Sequence, residues 1–226
     1  MDYKEYWKDH WNNREKITQP QLAQVERTFE GKPVNRDIWG NMVQYAQGQL
    51  ELFESSVILD LCAGNGLFSE PMAEVAKEVV AVDFSANLLK EIKNDKIRII
   101  ESDICELKIE KDYFTHVLLY AGIQYLNEKE ALMVFENVYN GMKEQGLFFI
   151  ADIPDRSFLW HFANTKEYKI KYFENLKNNT PAIGSWFLKQ DLEEMAKYVG
   201  FKKVEILEQP SWSPYSHFKF DMKLSK

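Results

Sequence analysis

Three carboxylates and two glycines carry the chemistry that this sequence can do. Asp60 closes the apolar run Val57-Ile58-Leu59, and Asp83 closes Val79-Val80-Ala81-Val82. Asp103 follows Ile97-Arg98-Ile99-Ile100. Between the first two acids stands Cys62-Ala63-Gly64-Asn65-Gly66, small residues that let a backbone turn sharply and approach a ligand closely. A glycine turn at a helix start offers free N–H groups, and an acid about twenty residues later accepts hydrogen bonds from a ribose. Together they make a cradle for an adenosine-containing cofactor.

Two cofactor classes use such a cradle. A dinucleotide-binding oxidoreductase requires G-x-G-x-x-G, but Gly64-Asn65-Gly66 runs into Leu67, Phe68 and Ser69 with no third glycine. Asp60 also disfavours that class, because a carboxylate beside the turn repels a pyrophosphate. It suits a cofactor that presents cations there, such as the ammonium and sulfonium of S-adenosylmethionine. The stretch Asp60-Leu61-Cys62-Ala63-Gly64-Asn65-Gly66 resembles the first motif of class I S-adenosylmethionine-dependent methyltransferases, acid-x-G-x-G-x-G, with Cys62 where the first glycine is expected. The resemblance covers roughly residues 51–226. It implies cofactor-binding roles for Asp60, Cys62, Ala63, Gly64 and Gly66, then Asp83 and Phe84, then Asp103 and Ile104. Asp83 would accept from the ribose hydroxyls and Asp103 from the adenine amino group, while the N–H of Ile104 would meet a ring nitrogen.

Ligands of a parallel α/β sheet bind where the chain leaves the C-terminal strand ends. Tyr120 and Ala121 leave the fourth strand, so they are expected beside the methionine part of the cofactor, with Gln124 and Tyr125 facing the acceptor. Methyl transfer is an in-line displacement without a universal catalytic signature, and hydroxyl acceptors need a base more often than amines do. His161 and His217 are the candidate bases. His161 lies in an aromatic-rich segment, residues 154–184, that also holds Trp160; methyltransferases of this class commonly insert substrate-recognition elements there. His217 is expected near the start of the last strand, at the cofactor edge of the sheet. His116, at the far end of its strand, reads as structural.

The elements that must position these groups follow from periodicity. Tyr3, Trp7 and Trp11 recur at i, i+4, i+8, with Tyr6 and His10 on the neighbouring row, which predicts a helix over residues 2–13 with an aromatic face. Its expected role is a lid, with Tyr6, Trp7 and Trp11 over cofactor and acceptor; packing on the domain flank is the alternative. Gly31-Lys32-Pro33 is a turn signal, and a second helix is predicted over about 37–53. The run 67–76 reads as helix, as do 85–94, 127–142 and 189–199, the last closed by Gly200. Strands are predicted at 57–59, 79–83, 97–100, 116–120, 147–151, 201–207 and 215–222. Gly146 is expected to take a positive φ before the fifth strand. The implied fold is α/β, a Rossmann-like, doubly wound seven-stranded sheet of order 3-2-1-4-5-7-6, last strand antiparallel, with an N-terminal helical cap. One domain is expected over 1–226: a cap or lid over 1–54, a cofactor-binding half over 55–153 and a substrate-side half over 154–226.

Composition narrows the acceptor. The 226 residues carry a formal net charge of −7, which argues against an extended phosphate-binding surface and a nucleic-acid partner. The Asn-Pro-Pro-aromatic tetrapeptide of several DNA and protein amide methylases is absent after the fourth strand, where Ala-Gly-Ile-Gln-Tyr-Leu stands. The expected acceptor is therefore a small molecule with an O or N nucleophile, and Phe29 to Val43 resembles a segment of bacterial methyltransferases acting on sugars and natural-product intermediates. Cys62 and Cys105 have no metal-ligand spacing, so no metal is expected, and they point to a reducing cytoplasmic setting. No apolar run is long enough to cross a membrane and no signal peptide is evident. The oligomeric state is not encoded in any of these features. The remaining alternatives are an NAD-dependent oxidoreductase and a non-catalytic cofactor- or partner-binding subunit on the same fold.

Overall fold

The computed structural model describes residues 3–12, 21–29 and 32–226. The chain before the sheet forms α1 (Tyr3–Asn12), α2 (Gln21–Gln24), a two-stranded ribbon of β1 (Thr28–Phe29) and β2 (Lys32–Pro33), and α3 (Arg36–Leu50). Part of the Gly31 turn signal lies outside the described residues. Asn35 starts α3: its carboxamide oxygen accepts from the Ile38 N–H at 2.8 Å, which meets one orphan donor of the first turn.

The sheet then alternates with helices: β3 (Val57–Leu61), α4 (Ser69–Ala73), β4 (Glu78–Asp83), α5 (Ala86–Leu89), β5 (Ile97–Glu101), β6 (Phe114–Tyr120), α6 (Glu128–Gly141) and β7 (Met142–Pro154). After it come α7 (Leu159–Phe162), α8 (Lys166–Asn178), α9 (Lys189–Val199), β8 (Lys203–Glu208) and β9 (Lys219–Ser225). The seven strands run β5-β4-β3-β6-β7-β9-β8, and only β9 is antiparallel to its neighbours. Numbered by appearance within the sheet, this is 3-2-1-4-5-7-6. The fold is thus the Rossmann-like doubly wound sheet.

Alternation along the strands makes two apolar layers. Leu59, Val80, Val117 and Phe148 pack against α6 and α9, while Ile58, Ala81, Leu118 and Phe149 pack against α3 and α4. Both faces are covered, so the strands read as unbroken apolar runs.

Four local expectations need correction. The helix after the glycines is shorter than 67–76, spanning Ser69–Ala73: Pro71 has no N–H to donate, and the i−4 bonds on either side of it run from Glu70 to Gly66 and from Met72 to Phe68. The next helix ends at Leu89, and Glu91 and Ile92 continue it as tighter turns bonded to Leu88 and Leu89. Near the start of β7 it is Gln145, at φ 64°, that takes the left-handed conformation. Gly146 is required for space instead: a Cβ there would stand 2.9 Å from the Lys143 carbonyl oxygen and 3.1 Å from that of Thr115. Finally, β9 begins at Lys219, not Tyr215. The alternation over 215–218 belongs to consecutive turns, in which Phe218 and Lys219 donate to the Tyr215 carbonyl.

Candidate cofactor and acceptor site

The C-terminal ends of β5, β4, β3 and β6 lie side by side, so Asp103, Asp83, Asp60 and Tyr120 are brought to one edge of the sheet. The chain leaves β3 with Cys62 at φ 57°, then Gly64 at 56° and Gly66 at 79°. Left-handed backbone suits glycine and strains cysteine. A Cβ on Gly66 would fall 2.6 Å from Ile92 Cγ1, and one on Gly64 would fall 3.1 Å from Val25. The turn is therefore a tight backbone cradle.

Asp83 organises that cradle. Its carboxylate accepts from the Gly64 N–H at 2.9 Å and from the Ser85 N–H at 2.8 Å. Burial raises its pKa, and these donors oppose the rise. Asp60 is buried one strand over and accepts from the Ser69 hydroxyl at 2.5 Å. Burial pushes Asp60 up to about 7, against the Ser69 bond, and the charge of Asp83 adds to the rise. It therefore changes charge near neutrality and is poised to respond to a cation. Burial and both acids also push the Cys62 thiol well up, so it stays protonated and unreactive.

Asp103 differs. Its carboxylate accepts from the Cys105 N–H at 3.0 Å and pairs with Lys4 at 2.9 Å and Lys8 at 3.3 Å, both on α1. Partial burial works against ionisation, but Lys4, the Cys105 N–H and Lys8 hold it below its ordinary value. Ile104 packs inward, into the apolar layer beneath.

The pre-sheet segments lie over these strand ends. Trp7 and Trp11 are buried with Leu88, and Phe84, Tyr6 and Tyr125 pack against them. Trp7 stands 4.6 Å from the Tyr125 ring and 5.0 Å from Tyr6. The Tyr3 hydroxyl donates to the Gln124 carbonyl at 2.9 Å. Asn65, inside the glycine turn, donates to the Gln21 carbonyl and to the Gln24 side chain, both at 2.9 Å. Buried Gln124 donates to Tyr125 at 3.0 Å.

Tyr120 stacks on Phe68 at 4.2 Å, and the Arg27 guanidinium lies over its ring at 4.9 Å. Ala121 follows at φ 54°, its N–H bonded to the Ala151 carbonyl. Next along β7 is a cluster that sequence reasoning missed. Asp152, fully buried and at φ 66°, pairs with Arg27 at 2.8 Å and Lys219 at 3.0 Å. Its own N–H donates to Asp221, and Gln209 donates to both carboxylates. Burial disfavours the Asp152 charge, but Lys219 and Arg27 outweigh it and hold its pKa low. Asp221 is pushed up to about 6 by burial, with the Asp152 charge adding to the rise. These partners come from four separate stretches of chain, so no local motif announces them.

Neither candidate base is joined to the strand ends by a hydrogen bond or ring contact among the described residues. His161 is exposed on α7 against Phe158, and Trp160 beside it is exposed against Tyr172 and Phe173. His217 is exposed against Phe218 in the turn before β9, not on the strand as expected. His116 is buried, bonds Thr115 and is driven down to about 4 by burial, as a structural histidine would be. Among the described residues no cluster of His, Cys, Asp and Glu could hold a metal, and no helix is long and apolar enough to cross a membrane.

The residues fit S-adenosylmethionine on this structure's own terms. The cradle admits no side chain at Gly66, and among the described residues two buried oxygens near these strand ends, Ser85 Oγ and Gln124 Oε1, have no hydrogen-bond partner. Residues 58–146 match the family model described as a methyltransferase domain. The matched stretch runs from β3 to the start of β7, and the sheet order is that of the Rossmann-like doubly wound fold.

A demethylmenaquinone methyltransferase of Renibacterium salmoninarum is 31% identical over 131 residues, 57% of this chain and 51% of that protein. The chain thus spans about half the length of the curated relative it matches. Among solved structures, a phosphoethanolamine N-methyltransferase 2 of Haemonchus contortus in complex with S-adenosylmethionine is similar at a TM-score of 0.65 and 17% identity. That match covers 83% of this chain and 52% of that one. A magnesium protoporphyrin IX methyltransferase of Synechocystis, with bound S-adenosylhomocysteine, covers all of both chains at a TM-score of 0.63 and 13% identity.

Proposed function

We propose that the protein transfers a methyl group from S-adenosylmethionine to an oxygen or nitrogen nucleophile of a small molecule. The observation that carries this reading is the row Asp60, Asp83 and Asp103 at adjacent strand ends around the glycine cradle. Asp83 has one carboxylate to offer both cradle N–H groups and a ribose. Asp60 meets the cationic end of the cofactor, and a nearby cation draws its buried carboxyl toward the charged form. Asp103 serves the adenine, together with Ile104.

The cofactor supplies an electrophilic methyl group on a sulfonium. That chemistry would be transfer of the methyl carbon to an acceptor lone pair, with the C–S electrons remaining on sulfur. The chain's part is to hold the acceptor in line and exclude water. Tyr120 and Ala121 line the methionine side, and Gln124 and Tyr125 the acceptor side. Helix α1, with Tyr6, Trp7 and Trp11, acts as a lid within a cap over 1–54, above a cofactor half over 55–153 and a substrate half over 154–226. The exposed placement of His161 and His217 lends no support to a base at either position, which favours an acceptor that ionises easily or an amine. Sugars and natural-product intermediates are the acceptors suggested by the Phe29 to Val43 resemblance. Two free cysteines fit a reducing, cytoplasmic setting, and the acidic chain fits neither a nucleic-acid nor a membrane partner.

Calorimetry with S-adenosylhomocysteine and NAD tests the cofactor: binding of the first and none of the second is expected, and the reverse would end the proposal. Incubation of a cell extract with the protein and methyl-labelled cofactor, read by mass spectrometry, tests the transfer. Tight cofactor binding without any labelled product would favour a non-catalytic subunit.

A further inference from the structure

Beneath α8 lies a cavity of about 680 Å³, within the range of small-molecule pockets. Its walls are aromatic: Phe162, Tyr168, Tyr172, Trp186 and Phe187. Its charged side chains are Lys129, Arg156 and Lys171 against the single acid Glu128, a cationic lining inside a chain of net charge −7. Among the described residues no carboxylate pairs with any of these three cations; the Arg156 guanidinium donates to the Tyr172 hydroxyl, at 3.1 Å.

Two further observations tie the cavity to an occupant. Helix α8 has thirteen residues and buries none of them, although Thr165 caps it and its tyrosines reach the cavity. A helix of this length is marginal in water without an apolar face to bury, and filling the cavity would supply that burial. The cavity also shares a wall with the chain leaving β6. The Ser185 N–H donates to the Gln124 carbonyl at 2.7 Å, and the Tyr3 hydroxyl contacts both residues. Gly184, at φ 109°, allows this approach, since a Cβ there would lie 2.2 Å from the same carbonyl oxygen.

We propose that this cavity is the acceptor subsite, and that the acceptor is an apolar, ring-bearing molecule carrying an anionic group held by Arg156 and Lys171. The aromatic walls take the rings, the unpaired cations take the acid, and the shared wall at Gln124 directs the other end toward the cofactor. This rests on the methyltransferase reading for the word acceptor, but binding of an aromatic acid does not.

The probes are 6-hydroxy-2-naphthoate and its neutral amide, titrated by calorimetry with and without saturating S-adenosylhomocysteine. The acid is expected to bind at least about tenfold more tightly than the amide, as charge-assisted bonds to a carboxylate exceed neutral ones. Arg156→Gln and Lys171→Gln should each weaken the acid about fivefold to tenfold, leave the amide within about twofold and leave the S-adenosylhomocysteine affinity unchanged. Equal binding of acid and amide, or binding of neither by a protein that takes S-adenosylhomocysteine, would overturn the subsite. Binding of the acid as expected, by a protein that takes no S-adenosylhomocysteine, would keep the subsite and remove the cofactor assignment instead.

Discussion

Replacing Asp152 by asparagine isolates the charge at the centre of the buried ion cluster. Asparagine tolerates the left-handed backbone at φ 66°, so backbone strain changes little, which would not be true of alanine. The substitution leaves Arg27 and Lys219 buried without their shared partner, formerly at 2.8 and 3.0 Å. Breaking a buried pair in this way costs about 3–5 kcal/mol. Asp221 offsets part of it, because relief from the Asp152 charge lets its carboxyl ionise more readily. The expected loss is therefore near the lower bound, about 3 kcal/mol. For a chain of this length that is a drop of roughly 6–12 °C in Tm. Urea unfolding at pH 7 and scanning calorimetry measure it. The pKa of Asp152 is depressed in the fold, so its contribution is present above the ordinary carboxylate range and lost as pH falls through its folded value. The gap between wild type and variant should close on acidification below about pH 4. Adding Lys219→Met to the variant should recover about 1 kcal/mol or more, since one stranded cation is gone. A loss below about 1 kcal/mol at pH 7, or a gap that widens in acid, would refute the reasoning.

Three further outcomes are expected. Asp83→Ala should weaken S-adenosylhomocysteine binding at least tenfold, at about 1.5–3 kcal/mol per bond to a charged group, in a protein that still folds; calorimetry beside circular dichroism checks both. The Asp60 pKa is raised to about 7, so its stability contribution is full below the unfolded value and fades as pH rises through about 7. Wild type should lose stability relative to Asp60→Asn between pH 4 and 8, and cofactor binding near pH 6.5 should release a proton, seen as heats that depend on buffer ionisation. If α1 is a lid, hydrogen exchange of residues 3–11 should slow on cofactor binding; equal protection in both states would rule the lid out.

The sheet was legible because its inner strands β3, β4 and β6 are apolar runs, each ended by an acid or a turn and buried on both faces. The same regularity made the row Asp60, Asp83 and Asp103 readable, since register alone brings the ends of β3, β4 and β5 together. What escaped was chemistry assembled from a distance. Arg27, Asp152, Gln209 and Lys219 meet only once β9 lies against β7, and Asp152 reads locally as one more acid near a strand end. His217 was misplaced because the period-two run Phe218, Phe220, Met222 was extended back over residues 215–217, which make turns. Helix α8 shows no burial to read, because its cavity side borders open space and its ring contacts to Trp160 lie at the surface.

The position of β9 between β7 and β8 has a consequence for how the chain is made. On the ribosome the parallel half, β3 to β6, emerges first and can close around its helices. At that stage the outer edge of β7, with Phe148 to Ile153, has no partner, and β8 follows without one either. Strand β9 lies only a short loop beyond β8, so the two can pair locally and dock on β7 as a unit, delivering Lys219 to Asp152 in the same step. Until then the nascent chain carries an open apolar edge and a carboxylate short of one of its cations, the kind of intermediate that aggregates or is held by chaperones.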